Sequence, residues 1–92
     1  MTVYVLKMNS GEEVLGDITD QTSDDFLICD KPRVFHVMNT EQGVQASLAP
    51  YFISNPEARG VKINMSCIAA FFEASNELSK SYLSSTSGLI LS

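Results

Sequence analysis

Carboxylate and amide side chains carry most of the chemical potential of this chain. Asp17, Asp20, Asp24, Asp25 and Asp30 follow one another within a short stretch. Hard cations such as Mg²⁺ and Ca²⁺ want several carboxylate oxygens, so this cluster is the first metal candidate. Its spacing lacks the central glycine and closing glutamate of a calcium loop. No second carboxylate-rich segment or histidine supports it, and solvated turn and strand-end aspartates account for it. Gly11 and Gly16 resemble the start of a phosphate loop, but no Lys-Ser/Thr follows and no helix begins there. His36, the only histidine, alternates with Val34 and Met38 and reads as a half-buried strand residue. Cys29 and Cys67 form no CxxC and have no base nearby in sequence, so they read as reduced, buried thiols. No catalytic residue, metal ligand or cofactor motif emerges, and a non-enzymatic protein is expected.

Two loops remain as binding candidates: Thr22, Ser23, Asp24 and Asp25 in one, Asn64, Met65 and Ser66 in the other, with Arg59 and Lys62 close by in sequence. Asn and Ser can hydrogen-bond base edges without net charge, and Met65 can pack on a base face. Asp24 or Asp25 can accept a hydrogen bond from an amino or imide group. The same residue types are also default turn formers.

The elements that must position these loops are short strands. Thr2 to Met8 mixes β-branched, aromatic and long apolar residues, and turn signals stand at Asn9-Ser10-Gly11. Glu13 to Asp20 gives a second strand with Gly16 inside it; a glycine there weakens pairing unless the sheet bends sharply. Phe26 to Asp30 is almost continuously apolar, as a strand covered on both sides would be. Pro32 lacks an N–H and marks an edge or a bend before Arg33 to Asn39 resumes the strand. Gly43 closes a hairpin-like turn, Val44 to Ile53 returns with a break at Pro50, and Ser54 to Glu57 is a loop. Val61 to Asn64, a tight turn at Met65-Ser66, and Cys67 to Glu73 complete the sheet. Ser75 can cap a helix with Glu77 in its first turn and Leu78 and Tyr82 on one face. The expected domain is single: a barrel over about 2–73, a helix over about 75–85, and a tail over 86–92 whose Leu89-Ile90-Leu91 docks on a neighbouring subunit or frays.

Ninety-two residues with 45% hydrophobic content and a formal charge of −5 constrain the partners. A chain this short has a thin margin of stability, so part of its apolar surface is expected to close an oligomer interface. The acidic field disfavours non-specific polyanion binding. No basic n-region with a following apolar stretch and no membrane-length run is visible, so a cytoplasmic protein is expected.

The order of strands and glycines resembles the Sm-like family. Gly11, Gly16 and Ile18, followed by Phe26-Leu27-Ile28-Cys29-Asp30, have the shape of its first motif. Val61 to Phe71 has the shape of its second, and together the matches cover about residues 3–30 and 60–73. The small phage-encoded members are the nearest in kind, through Gly11 to Asp17, Ala49-Pro50-Tyr51, Ile63-Asn64-x-Ser66, and Leu78 with Tyr82. The chain departs from the family where RNA is bound. Asp25 holds an asparagine position in a loop one residue shorter, Asn64 and Met65 replace the Arg-Gly turn, and the N-terminal helix is missing.

The resemblance implies an all-β fold: a small, strongly bent, five-stranded Sm-like (SH3-like) barrel, here with a C-terminal helix. It implies a homo-oligomeric ring of about five to eight subunits, with the two candidate loops converging at the inner rim. It implies a ring that binds RNA or single-stranded DNA, in the host cytoplasm if the protein is phage-encoded. The alternative is a structural or adaptor ring for a protein partner, favoured by the acidic balance and the absent arginine. A metal-dependent nucleic-acid enzyme stands a distant third.

Overall fold

The computed structural model describes residues 2–20 and 24–86. The described residues form six antiparallel strands and one helix: β1 (Val3–Met8), β2 (Glu13–Asp20), β3 (Phe26–Thr40), β4 (Gly43–Pro50), β5 (Val61–Asn64), β6 (Ile68–Glu73) and α1 (Asn76–Thr86), with a 3-10 turn at Met65–Cys67 between β5 and β6. The sheet runs β4-β3-β2-β1-β6, and β5 also pairs with β3. The fold is therefore all-β, a strongly bent sheet closed off by a C-terminal helix.

β3 serves two neighbours on one side. Its first half, Phe26 to Cys29, pairs with β5, and its second half, Arg33 to Thr40, pairs with β4. The bend between them lies opposite Gly16. β2 and β3 are in register at Leu15↔Arg33 and again at Asp17↔Asp30, so Gly16 faces both Lys31 and Pro32. Two residues opposing one is a β-bulge, which kinks the strand and raises its twist. Lys31 takes a left-handed backbone, φ +49°, to make the turn. Pro32 thus sits inside one continuous strand, at a bend rather than a break.

Gly16 has a steric reason as well. A Cβ there would overlap the Sγ of Cys29, which fills the inside of the kink.

The strand alternation places two cores on the two faces of the sheet. Leu6, Met8, Val14, Ile18, Leu27, Cys29 and Ile63 fill the barrel interior. Val3, Val5 and Leu15 point the other way, against Ala74 and Tyr82, where α1 covers them. Ser75 caps that helix, its Oγ accepting from the Leu78 N–H at 3.2 Å. Three expectations change. Phe26 to Asp30 is buried only at alternate positions, because α1 covers β1 and β2 but leaves the outer side of β5 and its partner half open. His36 and Cys67 are exposed, the first on the β3–β4 ribbon and the second on the 3-10 turn. The returning strand ends at Pro50, the residue expected to break the run to Ile53.

No helix of the described residues is long and apolar enough to cross a membrane.

Candidate functional site

The β2–β3 loop and the 3-10 turn meet at one end of the barrel. β3 and β5 pair with Phe26 opposite Asn64, which brings both loops to the same edge. The Met65 N–H donates to the Asp25 carbonyl at 2.9 Å and locks them together. Asn9, from the β1–β2 turn, holds the other flank. Its Nδ2 donates to the Ser66 carbonyl at 2.6 Å, and its backbone N–H donates to the Cys67 carbonyl at 2.8 Å. The 3-10 turn is therefore fixed from both sides by backbone acceptors, and the Asn64 side chain makes no capping bond within it. Asn64 and Ser66 are exposed and Met65 is half-buried.

Five of the candidate residues, Asp24, Asp25, Asn64, Met65 and Ser66, thus lie together. Thr22 and Ser23 lie outside the described residues, as does the tail beyond Thr86. Lys62 stands on the outer face of β5 with its Nζ 4.9 Å from the centre of the Phe26 ring, a cation–π contact beside the turn. Arg59 lies elsewhere. The whole of β5 separates it from Asn64, and it lines a separate cleft with Asp17, Asp30, Lys31 and Tyr82.

That second cleft lies over the bulge and is structural. The Tyr82 hydroxyl reaches the bend from α1. It accepts from the Asp17 N–H at 3.3 Å and lies 2.8 Å and 3.1 Å from the Asp30 and Lys31 carbonyls, which share its proton. The helix thus supplies a side-chain partner to backbone groups at the bulge. Burial pushes this hydroxyl up to about 12. Burial, with the Asp30 and Asp17 charges behind it, does the same to the Cys29 thiol, also to about 12. Neither is a nucleophile near neutral pH. Asp30, expected at a strand end, lies inside β3 at the bend, and its Oδ1 accepts from the Gly60 N–H at 2.8 Å, so this carboxylate ties down the β4–β5 loop. Arg33, only 3% exposed, holds the same loop through the Pro56 carbonyl at 2.6 Å and Glu57 Oε1 at 3.3 Å.

A third cleft, about 240 Å³, follows β5 between Met8, Tyr51, Phe52 and Cys67. The Tyr51 and Phe52 rings meet edge-on at 5.2 Å along it. Among the described residues β5 and β6 each pair on one side only, so this cleft opens along an unpartnered strand edge. β6 presents Phe71 at 49% and Phe72 at 56% exposure beside its own open edge.

Among the described residues, no group of three or more His, Cys, Asp or Glu lies close enough to hold a metal ion. In comparisons with known proteins, no family model and no curated protein matches the chain. Sequence reasoning missed Asn9, Tyr82 as a backbone partner and Arg33 as a loop anchor. A turn asparagine, a helix-face tyrosine and a strand arginine look ordinary until the chain brings their partners near.

Proposed function

We propose that this chain is the subunit of an Sm-like homo-oligomeric ring that binds RNA or single-stranded DNA without catalysis. The observation that carries the reading is the Asp25–Met65 backbone bond, which presents Asn64 and Ser66 beside Asp24 and Asp25. Asn64 and Ser66 offer donors and acceptors to a base edge, Met65 offers an apolar surface, and Lys62 on Phe26 offers a cation for the adjoining phosphate. Ring closure follows from the two unpaired edges. β6 of one copy can add to β5 of the next, with Phe71 or Phe72 entering the Tyr51–Phe52 cleft, and a closed ring leaves no such edge exposed. Weak single sites then gain avidity from repetition.

A charge of −5 per chain keeps general affinity for polyanions low, so recognition rests on hydrogen bonding and stacking. Labelled U-rich, A-rich and mixed oligonucleotides, RNA and DNA, titrated at two salt concentrations test the reading. Saturable, base-dependent binding is expected, and Asn64→Ala removes the base preference. An unchanged preference in Asn64→Ala takes that residue out of the site. Absence of binding below about 100 μM, near −5.5 kcal/mol, favours a second reading, a ring that holds a protein partner. The exposed Val37, Met38 and Val44 on the projecting β3–β4 ribbon support that one.

A further inference from the structure

Beyond Phe35 and Leu48 the β3–β4 ribbon stands clear of both cores, and every residue from His36 to Ser47 is exposed. A two-stranded ribbon without a third strand or a covering layer is marginal in water. This one is also apolar, with Val37 61% and Val44 71% exposed. Register sets Val37 opposite Ala46 and Val44 opposite Asn39, all on the face that carries Phe35 and Leu48. Of the eleven acidic residues only Glu41, at the turn, lies between Val34 and Pro50, and no lysine or arginine does. β4 has β3 on one side and, among the described residues, no strand on the other. An eight-residue edge strand with no charge, and with proline only at its last position, lacks the usual devices against pairing.

We propose that the ribbons of two copies pair through this edge, β4 against β4 in antiparallel sense about a two-fold axis at Ala46, and so join one ring to a second. The register is self-complementary. It sets Val44 of each copy opposite Leu48 of the other, and Gln45 opposite Ser47, an apolar pair on one face and a hydrogen-bonding pair on the other. Two marginal ribbons become one four-stranded sheet with a shared apolar face. Charge selects a second copy as the occupant. At −5 per chain two copies repel, and the ribbon lets them touch without bringing carboxylates together. Repetition supplies the strength: one pair of ribbons is short, but every subunit of a ring presents its ribbon to the same second ring, and the contacts add. The proposal rests on the ring reading and uses an edge that closure through β5 and β6 leaves over.

Light scattering on the wild-type protein and on Gln45→Lys/Ser47→Lys tests the pairing. The lysines face each other across the seam, so a wild-type mass of about ten to sixteen chains, twice a ring of about five to eight, should fall by half while the circular dichroism of the sheet persists. A wild-type mass already at a single ring, or a mass that the variant leaves unchanged, overturns the pairing and leaves the ring standing. A wild-type mass of one chain removes both. Ala46→Cys in a Cys67→Ser background reads the register. Directly opposed residues of antiparallel strands lie about 4.5–5.5 Å apart, within disulfide reach. Glutathione disulfide should therefore give a two-chain band under non-reducing conditions, with Cys29 left out because its buried thiol stays protonated. Glu41→Cys, equally exposed but about 17 Å from the axis at about 3.4 Å per residue, should give none. Equal cross-linking at both positions, or none at position 46, overturns the register.

Discussion

At the bend, single atoms decide the geometry. Gly16 leaves room for the Cys29 sulfur, so Gly16→Ala is expected to destabilise by about 1–3 kcal/mol through overpacking. Trimming the sulfur should relieve this. The added Cβ would stand 3.8 Å from the Cys29 Cβ, an ordinary contact, so Gly16→Ala/Cys29→Ala should be more stable than the sum of its single changes. Urea unfolding of the four proteins measures the coupling, and strict additivity would show that the sulfur is not what excludes a side chain at position 16. The same residues set a pH dependence. Cys29 moves from 9.0 to about 12 on folding and Tyr82 from 10.0 to about 12. Both are raised, so the unfolded chain loses its protons first, and their stabilisation is complete below about pH 9 and lost as pH rises toward about 12. The urea midpoint should hold level to about pH 8.5 and then fall. Cys29→Ala/Tyr82→Phe should flatten the fall, although its level at neutral pH is lower.

One element up, β3 owes its two-sided role to groups that come from far along the chain. Lys31 and Pro32 make the bulge, Tyr82 from α1 serves its backbone, and Arg33 anchors the β4–β5 loop. Arg33→Ala removes a buried guanidinium from the Pro56 carbonyl and Glu57, and that loop should open. Trypsin cleavage after Arg59 is the readout, and its rate is expected to rise at least about fivefold, since losing the buried charged bonds costs more than about 1 kcal/mol. An unchanged rate would assign the loop's order to its other ties, the Asp30–Gly60 bond and the Lys31 contacts to Ala58 and Glu57. β1, β2, β5 and the Ser75-capped helix were legible because each rests on local signals: alternation, a turn glycine, a capping serine. The bulge was half legible, since Gly16 and Pro32 each announced a bend but their opposition depends on register. The exposure of His36 was not, because alternation along β3 continues past the point where the sheet has anything to pack against. At the site, Asp25 and Asn64 could be paired only through the resemblance. Asn9 and Arg33 carried no signal, because their acceptors are carbonyls that any residue could supply.

For the whole molecule, the question is what happens to an open edge. The described chain spans 43 × 28 × 28 Å, with the β3–β4 ribbon projecting from the barrel. β6 runs Ile68-Ala69-Ala70-Phe71-Phe72-Glu73, exposed from Ala69 onward, with one side paired to β1 and the other side open. Natural sheets usually protect such an edge with charge, proline or a covering element, and β6 carries one charge, at its last residue. β5 offers an edge of the same kind without sharing it with β6 inside the chain, so the pair is suited to head-to-tail contact between copies, which closes when the rotation allows. Light scattering on the intact protein should therefore give a mass of several chains. Phe71→Lys/Phe72→Lys places two cations along the edge, where a neighbour's β5 would have to desolvate them. The mass should drop to one chain while the circular dichroism of the sheet persists, because both phenylalanines lie outside the two cores. A variant that stays fully assembled would remove β6 from the interface. A wild-type mass of one chain would overturn the proposed ring, and with it the avidity that the proposed base contacts at Asn64 and Ser66 would need.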